Sequence, residues 1–318
     1  MGRAALSRPR GRDVSATPDL FDPDPGPPPV YGCIEAGGTK FMLGVLSDPA
    51  DTALTLRVPT TTPVETIAAA LAFFREHAPA NGYTAFGIAS FGPVDLDPVS
   101  AHWGTITETP KPGWRDTAIV APFAKAFGCP VGFDTDVNAA VLAEASWGAA
   151  VDADVATYLT VGTGIGGGAM VGGRPVHGAR HPEMGHFLPQ RHPGDDYVGV
   201  CPYHGACLEG LATGPAIKAR WGATLSDLPQ DHVGHAIIAF YLAQAVIAQQ
   251  ALLSPRRIVL GGGVMQTPGL IGRVREAAAR LGNGYFCASA DYEALVVEPG
   301  LGTRSGLLGA LALAMAAR

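Results

Sequence analysis

An α/β fold follows from three features of this sequence. Short apolar runs alternate with segments whose apolar residues recur at helical spacing. Twice, at 30–47 and at 155–176, an apolar strand passes through a glycine-rich turn into a second apolar strand. The chain has 318 residues and 47% hydrophobic content, enough to bury one large core or two modest ones.

Residues 1–29 are rich in Pro, Asp, Ser and Arg, and PDLFDPDPGPPP supports neither a helix nor a central strand. They read as a disordered tail, its Arg3, Arg8, Arg10 and Arg12 a weak solvated patch. Folded structure starts at Val30. The turn between the first two strands carries Glu35, Gly37, Gly38, Thr39 and Lys40. Its paired glycines let backbone N–H groups approach an anion, while the strand that follows rules out a Walker A loop. LTLRVPTTTP is a third strand, and Val64–Ala78 has helical periodicity. AFGIASFGPVDLD is a strand whose end presents Ser90, Gly92 and Pro93, where open α/β sheets bind ligands. A stiff loop with Trp114, read as a packing residue, leads to a helix near 117–127.

PVGFDTDVNAAVLAEASWG reads as strand, turn, helix. One N-cap would suffice there, yet Asp134, Thr135, Asp136 and Asn138 cluster. Asp136, at the helix start, is the candidate general base. In VATYLTVGTGIGGGAMVGGRPV the run Gly162-Thr163-Gly164-Ile165-Gly166-Gly167 matches GxGxxG, but a return strand follows where a dinucleotide motif needs a helix. It repeats the layout at 37–40, so two half-sites would grip one polyphosphate. LATGPAIKARWG is read as helical, and 232–253 as a long apolar helix suited to a core or a dimer contact. RRIVLGGGVM runs a strand into Gly261, Gly262 and Gly263, which can seat a nucleotide. A helix and then an apolar C-terminal helix follow.

Residues 181–210 concentrate the most chemistry. Cys201, His204 and Cys207 are spaced with two residues between each, and His186 lies upstream. Four such donors make a closed tetrahedral set for a structural Zn²⁺ with no open position for water, which disfavours a zinc hydrolase. His181 and His192 compete as fourth ligand. Glu183 and Glu209 bracket this loop, and rigid carboxylates suit a polyhydroxylated ligand.

The formal net charge of −6 offers no basic footprint for nucleic acid. Five cysteines form no disulfide framework, which points to a reducing compartment, the cytoplasm by default. No apolar run reaches membrane-spanning length and no signal-peptide pattern is evident.

Taken in order, EAGGTKF, ASFGPVD, TPKPGW, DTDVNAA, TVGTGIGGG, HPEMGH, CPYHGACLEG and GGGV resemble the ROK family of sugar kinases, specifically its zinc-containing fructokinase branch. HPEMGH followed by CPYHGACLEG is the most specific part. The resemblance implies an actin-like ATPase (ribonuclease H-like) fold of two α/β domains with a cleft between them. The small domain would span 30–134, with the helix 303–318 returning to it, and the large one 135–302. It implies ATP and Mg²⁺ as cofactors and phosphorylation of D-fructose at O6, with glucose, mannose or N-acetylmannosamine as rival hexoses. Asp136 matches the catalytic base. Gly92, Pro93, Asn138, Glu183 and Glu209 fall to the sugar, and Glu35, both hairpin loops and Gly261–Gly263 to the nucleotide. The zinc set is His186, Cys201, His204 and Cys207. The chain departs from the wider family at Glu35, where Asp is usual, and at His204, where a third Cys is usual; Glu35 agrees with the fructokinase branch. A homodimer is the implied state. Sugar-responsive repressors share the scaffold, but the tail lacks the apolar helical period of a helix-turn-helix.

Overall fold

A computed structural model describes residues 28–318. The tail expectation and its arginine patch therefore lie almost wholly outside the described residues. Two five-stranded sheets organise the chain. The first holds β1 (Tyr31–Ala36), β2 (Lys40–Leu46), β3 (Leu54–Pro59), β4 (Ala85–Ser90) and β7 (Val131–Thr135), in the order β3-β2-β1-β4-β7. β1 pairs antiparallel with β2 and parallel with β4. Between β3 and β4 lies α1 (Pro63–Glu76). It starts at a capping box in which the Glu65 N–H donates to Thr62 Oγ1 while the Glu65 carboxylate accepts from the Thr62 N–H. A two-stranded ribbon, β5 (Thr105–Ile106) with β6 (Thr117–Ala118), precedes α2 (Ala121–Phe127). The helix expected from 117 thus begins at Ala121, after those residues are taken up by a strand pair.

The second sheet repeats the plan. β8 (Val155–Val161) and β9 (Ile165–Val171) form the hairpin, and β10 (Arg174–Pro175) extends it. β11 (Arg257–Gly261) and β12 (Val296–Val297) add in parallel, in the order β10-β9-β8-β11-β12. Both sheets are therefore led by an antiparallel glycine-turn hairpin and continued by parallel strands. Between the sheets in sequence runs α3 (Asp136–Trp147); it packs on β8 and β9 as well as on β4. The segment read as one helix from Leu211 is two, α4 (Leu208–Ala212) and α5 (Gly214–Trp221). Thr213 breaks them by capping α5 through Ala216 N–H, with Pro215 in its first turn.

α6 (Val233–Leu253) has 21 residues and is long and apolar enough to cross a membrane by length and composition, contrary to the sequence expectation. Its Ile237, Ile238, Tyr241, Leu242 and Val246 are buried in the core of the second sheet against α7 (Leu270–Gly282) and α4. The short α8 (Tyr292–Leu295) leads into β12. The first sheet has an aromatic core of Phe73, Phe74, Tyr83, Phe86 and Phe123 under α1 and α2.

The last helix, α9 (Ser305–Ala317), crosses back onto β1, β4 and β7 and lies along α3. Gly87 permits this approach, since a Cβ there would strike the Ala310 carbonyl oxygen. The start of α9 is pinned by Glu144 of α3, which is fully buried. Its carboxylate accepts from the backbone N–H groups of Ala149 (2.7 Å), Gly300 (2.9 Å) and Leu301 (3.2 Å) and from Ser305 Oγ (2.7 Å). Removing it strands several buried donors at once. We expect Glu144→Ala to destabilise the protein by about 3–5 kcal/mol, measured by chemical denaturation. A loss near zero would show that water replaces the carboxylate.

Candidate active site

Strand ends and helix starts meet between the two sheets. β7 runs directly into α3, with Thr135 as N-cap: its Oγ1 accepts from Asn138 N–H at 3.1 Å. Asp136 is therefore the first residue of α3, held at the junction. It keeps a partial opening to solvent, yet dense surroundings push its carboxyl up to about 7. Burial is the main cause and the charge of Glu35 the next; Glu183 adds to it, while N–H donation from Val137 opposes it. Glu35 belongs to β1 of the first sheet and Glu183 to the segment after β10 of the second. Asp136 thus feels the charge of one acid from each half. Burial also raises Glu35, with Lys40 pulling the other way.

The first glycine turn is closed by Gly37 N–H donating to the Lys40 carbonyl at 2.9 Å, and Thr60 Oγ1 ties it down at the Gly37 carbonyl at 2.7 Å. Thr39 and Lys40 are exposed, and Gly38 has open space on its Cβ side. In the second turn Gly162 N–H donates to the Gly164 carbonyl (2.9 Å), and the Gly162 carbonyl accepts from Gly214 N–H (2.8 Å); Thr163 and Gly164 are exposed. Of the third glycine group, Gly261 faces the Tyr158 hydroxyl and Gly262, at φ +93, the Val161 backbone. Those two are needed for tight packing. Gly263 has nothing within 4 Å of where a Cβ would stand, so it alone leaves room for a ligand.

Gly92 and Pro93 stand half-buried after β4. Next to them, Val94 N–H donates to His181 Nε2 at 3.1 Å, which leaves the proton on Nδ1, 3.6 Å from Glu183 Oε1. His181 is therefore no metal ligand: it ties the 92–94 turn to its own segment, with Nδ1 3.5 Å from the Pro182 carbonyl. His192 is no ligand either; its Nδ1 accepts from Gly194 N–H, and its ring packs on Phe240. Four other side chains do converge. The ligand atoms of His186, Cys201, His204 and Cys207 all lie within 4.8 Å of one another. His186 Nδ1 is 3.8 Å from Cys201 Sγ and 3.6 Å from Cys207 Sγ, and His204 Nδ1 is 3.7 Å from Cys201 Sγ. The edges of a tetrahedron around zinc are about 3.3–3.8 Å, so this donor set fits that ion. His186 Nε2 points the other way, to Glu209 Oε1 at 3.9 Å.

One pair escaped the sequence reading. Buried Asp134 accepts from Thr135 N–H (2.7 Å) and Asn138 Nδ2 (2.8 Å) on one oxygen, and from His177 Nε2 (2.8 Å) on the other. Donating this hydrogen bond to Asp134 raises the pKa of His177. Asn138, expected at the sugar, is instead 1% exposed and braces Asp134 from inside. Nothing local links positions 43 residues apart, so only the cluster of polar residues at 134–138 hinted at the network. Trp114 is wholly buried on Phe41 and Phe91, its Nε1 donating to the Thr61 carbonyl. A cavity of about 260 Å³ between Gln250, Arg257, Cys287 and Leu295 is lined by none of these groups; the chemistry, not the cavity, locates the site.

Two hairpin-led sheets around paired carboxylates define an actin-like ATPase fold. A family model described as the ROK family matches residues 31–317. The chain belongs to the ROK family. It is 52% identical over 293 residues to a fructokinase of Zymomonas mobilis subsp. mobilis, covering 91% of this chain and 97% of that one. It is 44% identical over 288 residues to a putative fructokinase of Bacillus subtilis, covering 90% and 95%. Among solved structures it is similar to a ROK hexokinase from Thermus thermophilus, with a TM-score of 0.71 at 30% identity, covering 90% of this chain and 98% of that one. A ROK family glucokinase from Streptomyces griseus, in complex with glucose and AMPPNP, gives 0.72 at 25% identity, covering 90% and 99%.

Proposed function

We propose that this protein is an ATP-dependent fructokinase that transfers the γ-phosphoryl group to O6 of D-fructose. The observation that carries the reading is Asp136, held at the β7–α3 junction with its carboxyl pushed up by burial and by the charges of Glu35 and Glu183, in a chain that aligns with fructokinases over nine-tenths of its length. In its ionised form Asp136 takes the O6 proton as O6 bonds to the γ-phosphorus. The bond from that phosphorus to the β,γ-bridging oxygen breaks, and ADP leaves. Gly38, Thr39, Lys40, Thr163, Gly164 and Gly263 supply N–H groups, hydroxyls and one cation to the phosphates, while Gly37 and Gly162, whose N–H groups close their own turns, shape the two loops. Gly92, Pro93, Glu183 and Glu209 hold the sugar. Positioning and charge supply most of the acceleration in phosphoryl transfer, and rigid hairpins suit that task.

Mg²⁺, arriving with the nucleotide, would be held on the Glu35 side and would neutralise charge on the β- and γ-phosphates. A structural zinc would be held by His186, Cys201, His204 and Cys207, fixing the backbone that carries Glu183 and Glu209. We assign residues 30–134, with α9, to a small domain and 135–302 to a large one, in a homodimeric cytoplasmic enzyme. A reducing compartment agrees with five free cysteines. ADP release measured over a panel of hexoses tests the substrate. Fructose should exceed glucose, mannose and N-acetylmannosamine by at least about tenfold in kcat/KM. A higher value for one of the others overturns the substrate and keeps the kinase; ADP from none of them removes both.

A further inference from the structure

Glu209 does more in this fold than face a sugar. It sits in the first turn of α4, two residues after Cys207, whose sulfur caps that helix by accepting from Gly210 N–H at 3.5 Å. From there its Oε2 accepts from the backbone N–H of Ile165 at 3.0 Å. Ile165 is the first residue of β9, directly after the Gly162–Gly164 turn. Its other oxygen, Oε1, faces His186 Nε2. Two further contacts press the same region onto the hairpin. Gly185 lies so close to the Ile165 carbonyl that a Cβ would collide with it, and the Met184 side chain covers Gly167. The base of the turn is also held where the Gly162 carbonyl accepts from Gly214 N–H at 2.8 Å, while its tip, Thr163 and Gly164, is exposed.

We propose that Glu209 is a positioning residue for the nucleotide: by accepting from Ile165 N–H it fixes the Gly162–Gly164 turn in the form that receives phosphate, and so couples the Cys/His cluster to the ATP half of the site. This rests on the kinase reading above. The device depends on reach and on an acceptor oxygen, not on negative charge. A carboxylate near phosphates repels them, so its charge alone would weaken nucleotide binding.

Two substitutions separate reach from charge. Glu209→Gln keeps the length and an acceptor oxygen but loses the charge. Glu209→Asp keeps the charge but is one methylene too short to meet Ile165. The probe is the Mg²⁺ complex of AMPPNP, titrated calorimetrically into the full chain without sugar. Glu209→Gln should bind it within about twofold of wild type, and Glu209→Asp about tenfold more weakly, for the loss of one part-buried hydrogen bond. Both should raise KM for fructose. Amide hydrogen exchange at Ile165 should stay slow in the first variant and become fast in the second. Equal AMPPNP affinity in wild type and Glu209→Asp, with slow exchange at Ile165, overturns the proposal and leaves Glu209 a sugar contact only. Tighter binding in Glu209→Gln together with unchanged binding in Glu209→Asp also overturns it, since charge alone would then govern. Failure of the wild type to bind AMPPNP removes the nucleotide reading instead, and exchange at Ile165 in the two variants then decides the brace.

Discussion

Asp136→Asn should lower fructose phosphorylation by about a thousandfold while leaving the fold intact. General bases contribute about 10²–10⁴ in rate, and an amide of the same shape cannot take the O6 proton. The Val137 N–H that donates to Asp136 Oδ1 at 3.0 Å can still find an acceptor in Asn, so helix α3 keeps its start. In the wild type the pH profile carries the same signature. Crowding by protein and the charge of Glu35 push the Asp136 carboxyl up to about 7 in the free enzyme. Only the ionised form is a base. kcat/KM should therefore fall about tenfold per pH unit below that value and level off above it. Stability moves the opposite way. Between the ordinary aspartate value of 3.8 and about 7 the folded chain holds a proton that the unfolded chain has released, so the Asp136 contribution to stability declines as pH rises through this window. Asp136→Asn removes that decline, so its melting temperature should exceed that of wild type at pH 8 by more than at pH 5. Undiminished turnover in this variant would reject Asp136 as the base.

Much of this site lies in local sequence and was legible there. Two strand–glycine–strand units needed only period-two apolar runs and paired glycines, and the Cys201–His204–Cys207 spacing speaks for itself within one loop. What escaped is what the fold brings from afar. Glu144 looks like an ordinary helical acid until Gly300, 156 residues on, is placed against it. His177 has no local cue for Asp134. His181 competes with His186 for the ion in sequence only because it lies near a metal-type motif, whereas Val94, 87 residues earlier, claims its Nε2. Gly261 and Gly262 carry a similar lesson. A glycine run invites a phosphate in sequence, but the steric demands of Tyr158 and Val161 explain two of its three members. The single helix expected after the metal loop failed because Thr213, a good cap beside Pro215, outweighs helical periodicity.

Cys207→Ser should abolish zinc binding, lower the melting temperature by about 5–7 °C and raise KM for fructose. The donor set around His186 closes only with four ligands, and a hydroxyl is a poor substitute for a thiolate on zinc. Cys207 is wholly buried and also starts α4, so its loss frees the loop on one side and Glu209 on the other. His186 stands three residues after Glu183, so releasing it loosens the second acid too. A structural zinc that contributes about 3–5 kcal/mol here accounts for the expected shift, because about 1 kcal/mol moves the melting point of a 318-residue chain by about 1.5 °C. Binding requires the two thiols to release protons, so zinc affinity should fall as pH falls, the acidic direction opposing the metal. Chelation of the wild type should reproduce the melting shift, and added Zn²⁺ should reverse it in wild type but not in Cys207→Ser. Cys287→Ser supplies the control: Cys287 is half-buried beside Gln250, outside the cluster, and its loss should leave zinc content at one ion per chain. A metal-free protein with wild-type melting temperature and wild-type KM would show that hydrogen bonds among His186, Cys201 and Cys207 hold the loop without an ion. Metal analysis of the purified chain, together with melting curves taken with and without chelator, distinguishes the two.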